Sequence, residues 1–95
     1  MQVTQVNTGR ERVYKGSFKD GRLDGQDCEV EYVNEKEGYV GAFREGRKCG
    51  KGTYFYADGR TWQGQWKDNR QNGIGRYKNV KGVVIEGYWI DGIKS

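Results

Sequence analysis

Tyr39-Val-Gly-Ala-Phe-Arg-Glu-Gly-Arg-Lys-Cys-Gly-Lys-Gly-Thr-Tyr-Phe-Tyr-Ala-Asp-Gly-Arg-Thr61 holds one complete copy of a repeat. Its opening, Tyr39-x-Gly41-x-Phe43, returns downstream as Trp62-x-Gly64-x-Trp66 and, more weakly, as Ile85-x-Gly87-x-Trp89, and upstream as Tyr14-x-Gly16-x-Phe18. The central glycines Gly16, Gly41, Gly64 and Gly87 are 25, 23 and 23 residues apart, so the period is constant apart from one two-residue insertion. A fixed period of this size is the signature of a repeat architecture, in which each copy is one supersecondary unit that buries its apolar face against its neighbours.

Within the stretch, apolar residues alternate with polar ones and turn residues punctuate them, which predicts hairpins. Side chains two apart share a strand face, so Tyr39, Gly41 and Phe43 point one way, as do Gly50, Gly52, Tyr54 and Tyr56. The same reading gives strands over Thr61 to Trp66, Gly73 to Tyr77 and Val83 to Ile90, with turns at Arg44 to Lys48, Ala57-Asp58-Gly59 and Lys67 to Arg70. Upstream, Tyr14, Gly16 and Phe18 share a face before the turn Lys19-Asp20-Gly21-Arg22. The return strand from Gly25 to Val33 is out of phase, because Tyr32 lies seven after Gly25 whereas Tyr56 lies six after Gly50. A one-residue slip turns every side chain over, so a bulge or a change of face is expected there. The loop 34–38 takes up the rest of the insertion. Val3 and Val6 alternate with polar residues before Thr8-Gly9, predicting a short capping strand and turn.

The chain of 95 residues is read as one domain over 1–95: an N-terminal cap 1–13, repeats 14–38, 39–61 and 62–84, and a half-repeat cap 85–95. Its apolar fraction is 34% with a mean hydropathy of −1.04, yet aromatics make up 14%, which a disordered chain would lack. There is no histidine, so the commonest general base and metal ligand is missing, and no catalytic residue, metal site or cofactor is assigned. Cys28 and Cys49 have no second pair beside them and read as two reduced thiols. Met1 to Arg12 contains no apolar run of five, which reads as a cytoplasmic protein.

Of the sixteen glycines, about fourteen stand at fixed positions, and those within strands need a physical reason, since glycine packs nothing there and costs entropy. An aromatic ring can lie flat across a neighbouring strand only where that strand has no Cβ. On this reading Tyr14, Tyr39, Trp62 and Ile85 form one row along the repeat axis and Phe18, Phe43, Trp66 and Trp89 a second, with Tyr54, Tyr56 and Tyr77 beside them. These residues carry a resemblance to the MORN repeat family, whose pattern is roughly Tyr-x-Gly-x-Trp, a charged turn, Gly-x-Gly-x-x-Tyr, then Asp-Gly. Tyr39 to Gly59 matches almost fully, and Trp62 to Gly82 matches with Asn69 in place of a turn glycine. Tyr14 to Gly38 departs, with Asp27 in place of the second glycine of Gly-x-Gly. The resemblance implies an all-β fold: an elongated single-layer twisted antiparallel sheet of stacked hairpins, with an aromatic groove on one face. Eight strands at the usual spacing make a ribbon about 34 Å long.

The function expected is a non-catalytic scaffold that binds a protein or peptide partner. A single layer has no second layer to cover its aromatic face, and Trp and Tyr dominate interaction hot spots. The candidate groove is Tyr14, Phe18, Tyr39, Phe43, Tyr54, Tyr56, Trp62, Trp66, Tyr77 and Trp89. The resemblance adds that such proteins often serve cytoskeletal or membrane-associated structures. The alternative is a phosphoinositide or anionic membrane surface held by basic turn residues Arg22, Arg44, Arg47, Lys48 and Arg70. An acid in each turn, Asp20, Glu45 and Asp68, and a net charge of only +4 weigh against that alternative and against nucleic acid. Open edges at both ends of the array predict homodimerisation.

Overall fold

The computed structural model describes residues 3–7, as backbone, and residues 12–95; the turn expected at Thr8-Gly9 lies outside them. Repeating hairpins produce β1 (Val3–Asn7), β2 (Arg12–Gly16), β3 (Phe18–Lys19), β4 (Arg22–Leu23), β5 (Gly25–Tyr32), β6 (Glu37–Arg44), β7 (Arg47–Phe55), β8 (Thr61–Lys67), β9 (Arg70–Lys78), β10 (Val84–Ile90) and β11 (Ile93–Lys94). Nine strands form one antiparallel sheet in the order β1-β2-β5-β6-β7-β8-β9-β10-β11, and β3 with β4 forms a small separate ribbon at the first turn. The long axis measures 36 Å, the length that strand spacing alone requires.

Register carries the repeat across the sheet. Tyr14 faces Val30, Val30 faces Tyr39, and the line continues through Tyr54, Trp62, Tyr77 and Ile85. Two residues on, Cys28 is aligned with Gly41, Gly52, Gly64, Gly75 and Gly87. The place expected for Asp27 in the first repeat therefore belongs to Cys28. The cause is the slip predicted from Tyr32: β5 bulges by one residue between Gly25 and Cys28, whereas β7 and β9 each carry two extra residues beside Gly50 and Gly73. Both glycines hold positive φ, 60° and 120°. The opposite face carries Lys15, Glu29, Val40, Thr53, Gln63, Arg76 and Glu86 in register.

The glycine line is where the rings lie. A Cβ on Gly52 would collide with the Tyr39 ring, and one on Gly75 with the indole of Trp62. At the first repeat a Cβ on Gly16 would meet the Cys28 Sγ at 2.8 Å, so a thiol stands where the later repeats leave room for a ring. Between the two rows the aromatics make one zigzag of edge-to-face contacts: Phe43–Tyr39 (5.3 Å), Tyr39–Trp66 (5.2 Å), Trp66–Trp62 (5.3 Å) and Trp62–Trp89 (5.2 Å), all at 82–89°. The first ring of the second and of the third repeat thus touches the second ring of its own strand and of the next repeat. Such pairs add about 0.5–1.5 kcal/mol each beyond area burial. Leu23, Cys28 and Val30 complete this core.

Two-residue turns close the hairpin within each repeat, tighter than the five-residue span expected at Arg44 to Lys48, while the connections between repeats are longer. Asp20-Gly21, Glu45-Gly46, Asp68-Asn69 and Asp91-Gly92 all have positive φ at both positions, the twist that matches flanking strands. Successive turns are stitched together: the N–H groups of Gly46, Asn69 and Gly92 donate to the carbonyls of Leu23, Lys48 and Gln71 at 2.8, 3.1 and 2.8 Å.

Two alanine substitutions separate ring contact from backbone conformation. Gly59 has φ 98° and open space around it, so Gly59→Ala is expected to cost about 1–2 kcal/mol of backbone strain. Gly52→Ala drives a methyl into Tyr39 and is expected to cost about 3 kcal/mol or more, read from urea unfolding midpoints.

Candidate functional site

The zigzag divides the ten aromatics into two groups. Tyr39, Phe43, Trp62, Trp66 and Trp89 are 0–7% exposed, so the aromatic face is not the continuous open surface expected for a single layer. Rings crossing the glycine line bury one another without a second layer. Trp66 Nε1 donates to the Gly52 carbonyl at 3.0 Å, while Trp62 Nε1 is buried with no partner, so Trp62 contributes through its ring alone. Tyr14, Phe18, Tyr54, Tyr56 and Tyr77 are half-buried and remain accessible.

A tyrosine strip forms the accessible part. Tyr54 lies 6.0 Å from Tyr32 and 4.8 Å from Tyr56, centroid to centroid. Its hydroxyl donates to Glu37 Oε1 at 2.7 Å, and the other carboxylate oxygen accepts from the Ala57 N–H at 3.2 Å. Glu37 reaches Tyr54 because it begins β6 opposite Tyr32, two residues beyond the aligned ring positions and so on the same face.

Cations cap these rings. Lys48, one of the residues expected to contact anions at the basic edge, is half-buried and turns its ammonium onto the aromatic face. Its Nζ donates to the Tyr32 hydroxyl at 2.8 Å and lies 5.4 Å from the centroids of Tyr32 and Tyr39 and 5.9 Å from those of Tyr54 and Trp66. Arg12 stands over the same Tyr32 ring at 5.0 Å, Arg60 over Tyr56 at 4.6 Å, and Lys94 over Trp89 at 6.0 Å. Burial, reinforced by the Arg12 charge, lowers the Lys48 pKa to about 8. Burial raises the phenols of Tyr39 and Tyr54, and for Tyr54 the bond to Glu37 pushes the same way.

The remaining basic residues sit where the turns place them. Lys19 faces Arg22, Arg44 faces Arg47, and Lys67 faces Arg70, each directly across its hairpin and each exposed. Like charges so opposed destabilise a hairpin. The only cross-repeat relief among the ion pairs of the described residues is Arg47–Asp68 at 3.8 Å, both ends exposed. Such a pair adds little.

Sequence reasoning missed Arg12, Tyr32, Glu37 and Arg60 at the tyrosine face. Tyr32 was obscured by the bulge that sets its register. Arg60 had a local signal, since Asp58-Gly59-Arg60 closes its turn by placing Nε 2.7 Å from Asp58 Oδ2.

The chain matches the sequence model of the MORN repeat over residues 14–26, 39–59 and 62–84. It is similar to alsin of Rattus norvegicus, 39% identical over 59 residues, and to the alsins of Mus musculus and Homo sapiens, each 37% identical over the same length. The matched stretch is 56% of this chain and 3% of each alsin, so the chain spans a small part of the relatives it resembles.

The shifted groups predict an alkaline stability profile. Lys48 binds fewer protons in the native state than in the unfolded chain between its lowered pKa near 8 and its ordinary value, so stability rises with pH across that window. The raised Tyr39 and Tyr54 phenols act oppositely: their contribution is complete below the ordinary tyrosine value and is lost as pH climbs through their raised one. The raised Cys28 and Cys49 thiols act in the same sense as the phenols, so the Lys48 contribution is read as a difference: the gap in urea midpoint between the wild type and Lys48→Met is expected to shift in favour of the wild type from pH 8 toward about 10.

Proposed function

Given that this chain belongs to the MORN repeat family, we propose that it is a non-catalytic, cytoplasmic scaffold module that holds a polypeptide partner along Tyr32, Tyr54, Tyr56 and Tyr77. Repeats of this family serve generally as protein or membrane interaction modules. The observation that carries the reading is the division of the aromatic face. Five rings are spent on the core, while four half-buried tyrosines are left beside them, Tyr32, Tyr54 and Tyr56 in mutual ring contact and Tyr77 on the neighbouring return strand. Tyrosine in this setting supplies contact area at low entropic cost. The buried Trp62 and Trp66 set the level of the strip rather than touching the partner.

A second reading has its own support. Three like-charge pairs, Lys19 with Arg22, Arg44 with Arg47 and Lys67 with Arg70, recur along one edge of the sheet against the local electrostatic preference. A row of this kind suits an anionic membrane surface, with about 1 kcal/mol per basic residue near the headgroups.

Two variants distinguish the readings. Tyr54→Ala with Tyr56→Ala removes much of the strip and leaves the zigzag intact, and should weaken peptide binding at least tenfold, about 1.4 kcal/mol, in calorimetry with little salt dependence. Arg47→Glu with Arg70→Glu should leave peptide binding within about twofold, a few tenths of a kcal/mol. Loss of binding to phosphatidylserine vesicles by the second variant, with the first unaffected and no peptide bound by the wild type, would establish the membrane reading instead.

A further inference from the structure

We propose that Lys48, bonded to the hydroxyl of Tyr32, and Arg12, over the ring of the same tyrosine, form the receptor for an acidic side chain of the polypeptide partner. This rests on the tyrosine strip being the partner surface and adds the chemistry of what lies on it. Three other cations flanking the sheet have anions of their own, Arg60 with Asp58 at 2.7 Å, Arg76 with Glu86 at 3.1 Å and Arg47 with Asp68 at 3.8 Å, and the remaining turn cations are exposed to water, whereas Lys48 is half-buried. No carboxylate of the described residues is ion-paired with Lys48, whose ammonium is bonded to a neutral phenol and surrounded by four rings. Arg12 shares one of those rings, and its Nε is buried with no hydrogen-bond partner.

Lys48 at the hydroxyl end of Tyr32 and Arg12 over its ring carry like charges that repel, and the Arg12 charge is, after burial, one reason that the Lys48 pKa is lowered. The nearby acids leave the ammonium without a countercharge. Glu37 is engaged by the Tyr54 hydroxyl and the Ala57 N–H, and Glu35 acts on Arg12 from the turn beyond β5. The phenols of Tyr32, Tyr39 and Tyr54 are all raised and so stay neutral near pH 8, as does the Cys49 thiol beside Lys48 in β7. A carboxylate between Lys48 and Arg12 would turn repulsion into two charge-assisted hydrogen bonds in a partly desolvated place, where such bonds are strong. A basic partner is excluded by the same charges.

A peptide fits this site better than a bilayer does. Lys48 is recessed among rings and is reached by a carboxylate on a hydrocarbon stem, with the stem lying on Tyr32 and Tyr54. The cations open to a flat surface are those of the turns.

The test is selection of random linear peptides on the full chain, followed by calorimetry of the selected peptides at pH 8 in two buffers of different ionisation enthalpy. The expected peptides carry Glu or Asp beside an apolar residue. A carboxylate raises the Lys48 pKa, so binding should take up a fraction of a proton. Lys48→Met should weaken acidic peptides about tenfold or more and abolish proton uptake, while Lys48→Arg keeps the affinity and also abolishes the uptake. Arg12→Met should weaken the same peptides. Selected peptides that are neutral or basic, or binding indifferent to Lys48→Met, would overturn the receptor and leave the tyrosine surface standing. Failure of any peptide to be enriched would overturn both, as would Lys48-dependent binding confined to phosphatidylserine vesicles.

Discussion

A ring laid across a strand that has no side chain under it is the contact on which this protein depends. A single sheet has two faces and no second layer, and a sheet of alternating apolar and polar residues would leave its apolar face in water. The aligned line of Cys28, Gly41, Gly52, Gly64, Gly75 and Gly87 removes that difficulty by letting Tyr39 and Trp62 lie down on the backbone instead of standing on it. Once flat, they meet the edges of Phe43 and Trp66, and the 23-residue period becomes a period of edge-to-face contacts. Each large ring removes on the order of 200 Å² from water, worth about 5 kcal/mol before conformational entropy is counted.

Lying down also decides which aromatics are left for other work. The first-strand rings of the second and third repeats, Tyr39, Phe43, Trp62 and Trp66, are consumed, whereas those of the return strands, Tyr32, Tyr54, Tyr56 and Tyr77, stand beside them half-covered. Their cover is cationic, from Arg12, Lys48 and Arg60. Cation–π contact is worth about 0.5–2 kcal/mol depending on desolvation, and here it also sets the sign of the surface. A face that looks apolar by composition is therefore a positively charged one lined with rings.

Much of the fold was legible in the chain because period-two alternation and turn chemistry are local properties. The strands from β6 to β10, the two-residue insertion and the need for a slip in the first repeat all follow from counting residues between glycines. What counting could not provide was where the slip falls. Asp27 and Cys28 are adjacent, and only the pairing of Cys28 with Gly41 decides between them. Burial was the other gap. Tyr39 and Tyr54 are the same residue type on the same face and directly opposite each other, yet one is fully buried and the other accessible. The difference lies in which way each ring leans, and that is fixed by a neighbour 13 residues away, Gly52, rather than by its own surroundings in sequence. Lys48 reads as a turn cation for a similar reason. It follows Arg44, Glu45 and Arg47 in a charged run, but its place opposite Phe43 on the ring face turns it inward.

The most direct measurement is the proton NMR shift of the two Cα hydrogens of Gly75. The hydrogen standing where a Cβ would be points at Cζ2, Cε2 and Cη2 of Trp62. If the indole lies across the strand, that hydrogen resonates far upfield of its geminal partner and returns to the ordinary strand range in Trp62→Leu. Two Gly75 hydrogens with ordinary, similar shifts in the wild type, unchanged by that substitution, would mean that the rings do not lie on the glycine line, and the account of how this single layer holds together would be wrong.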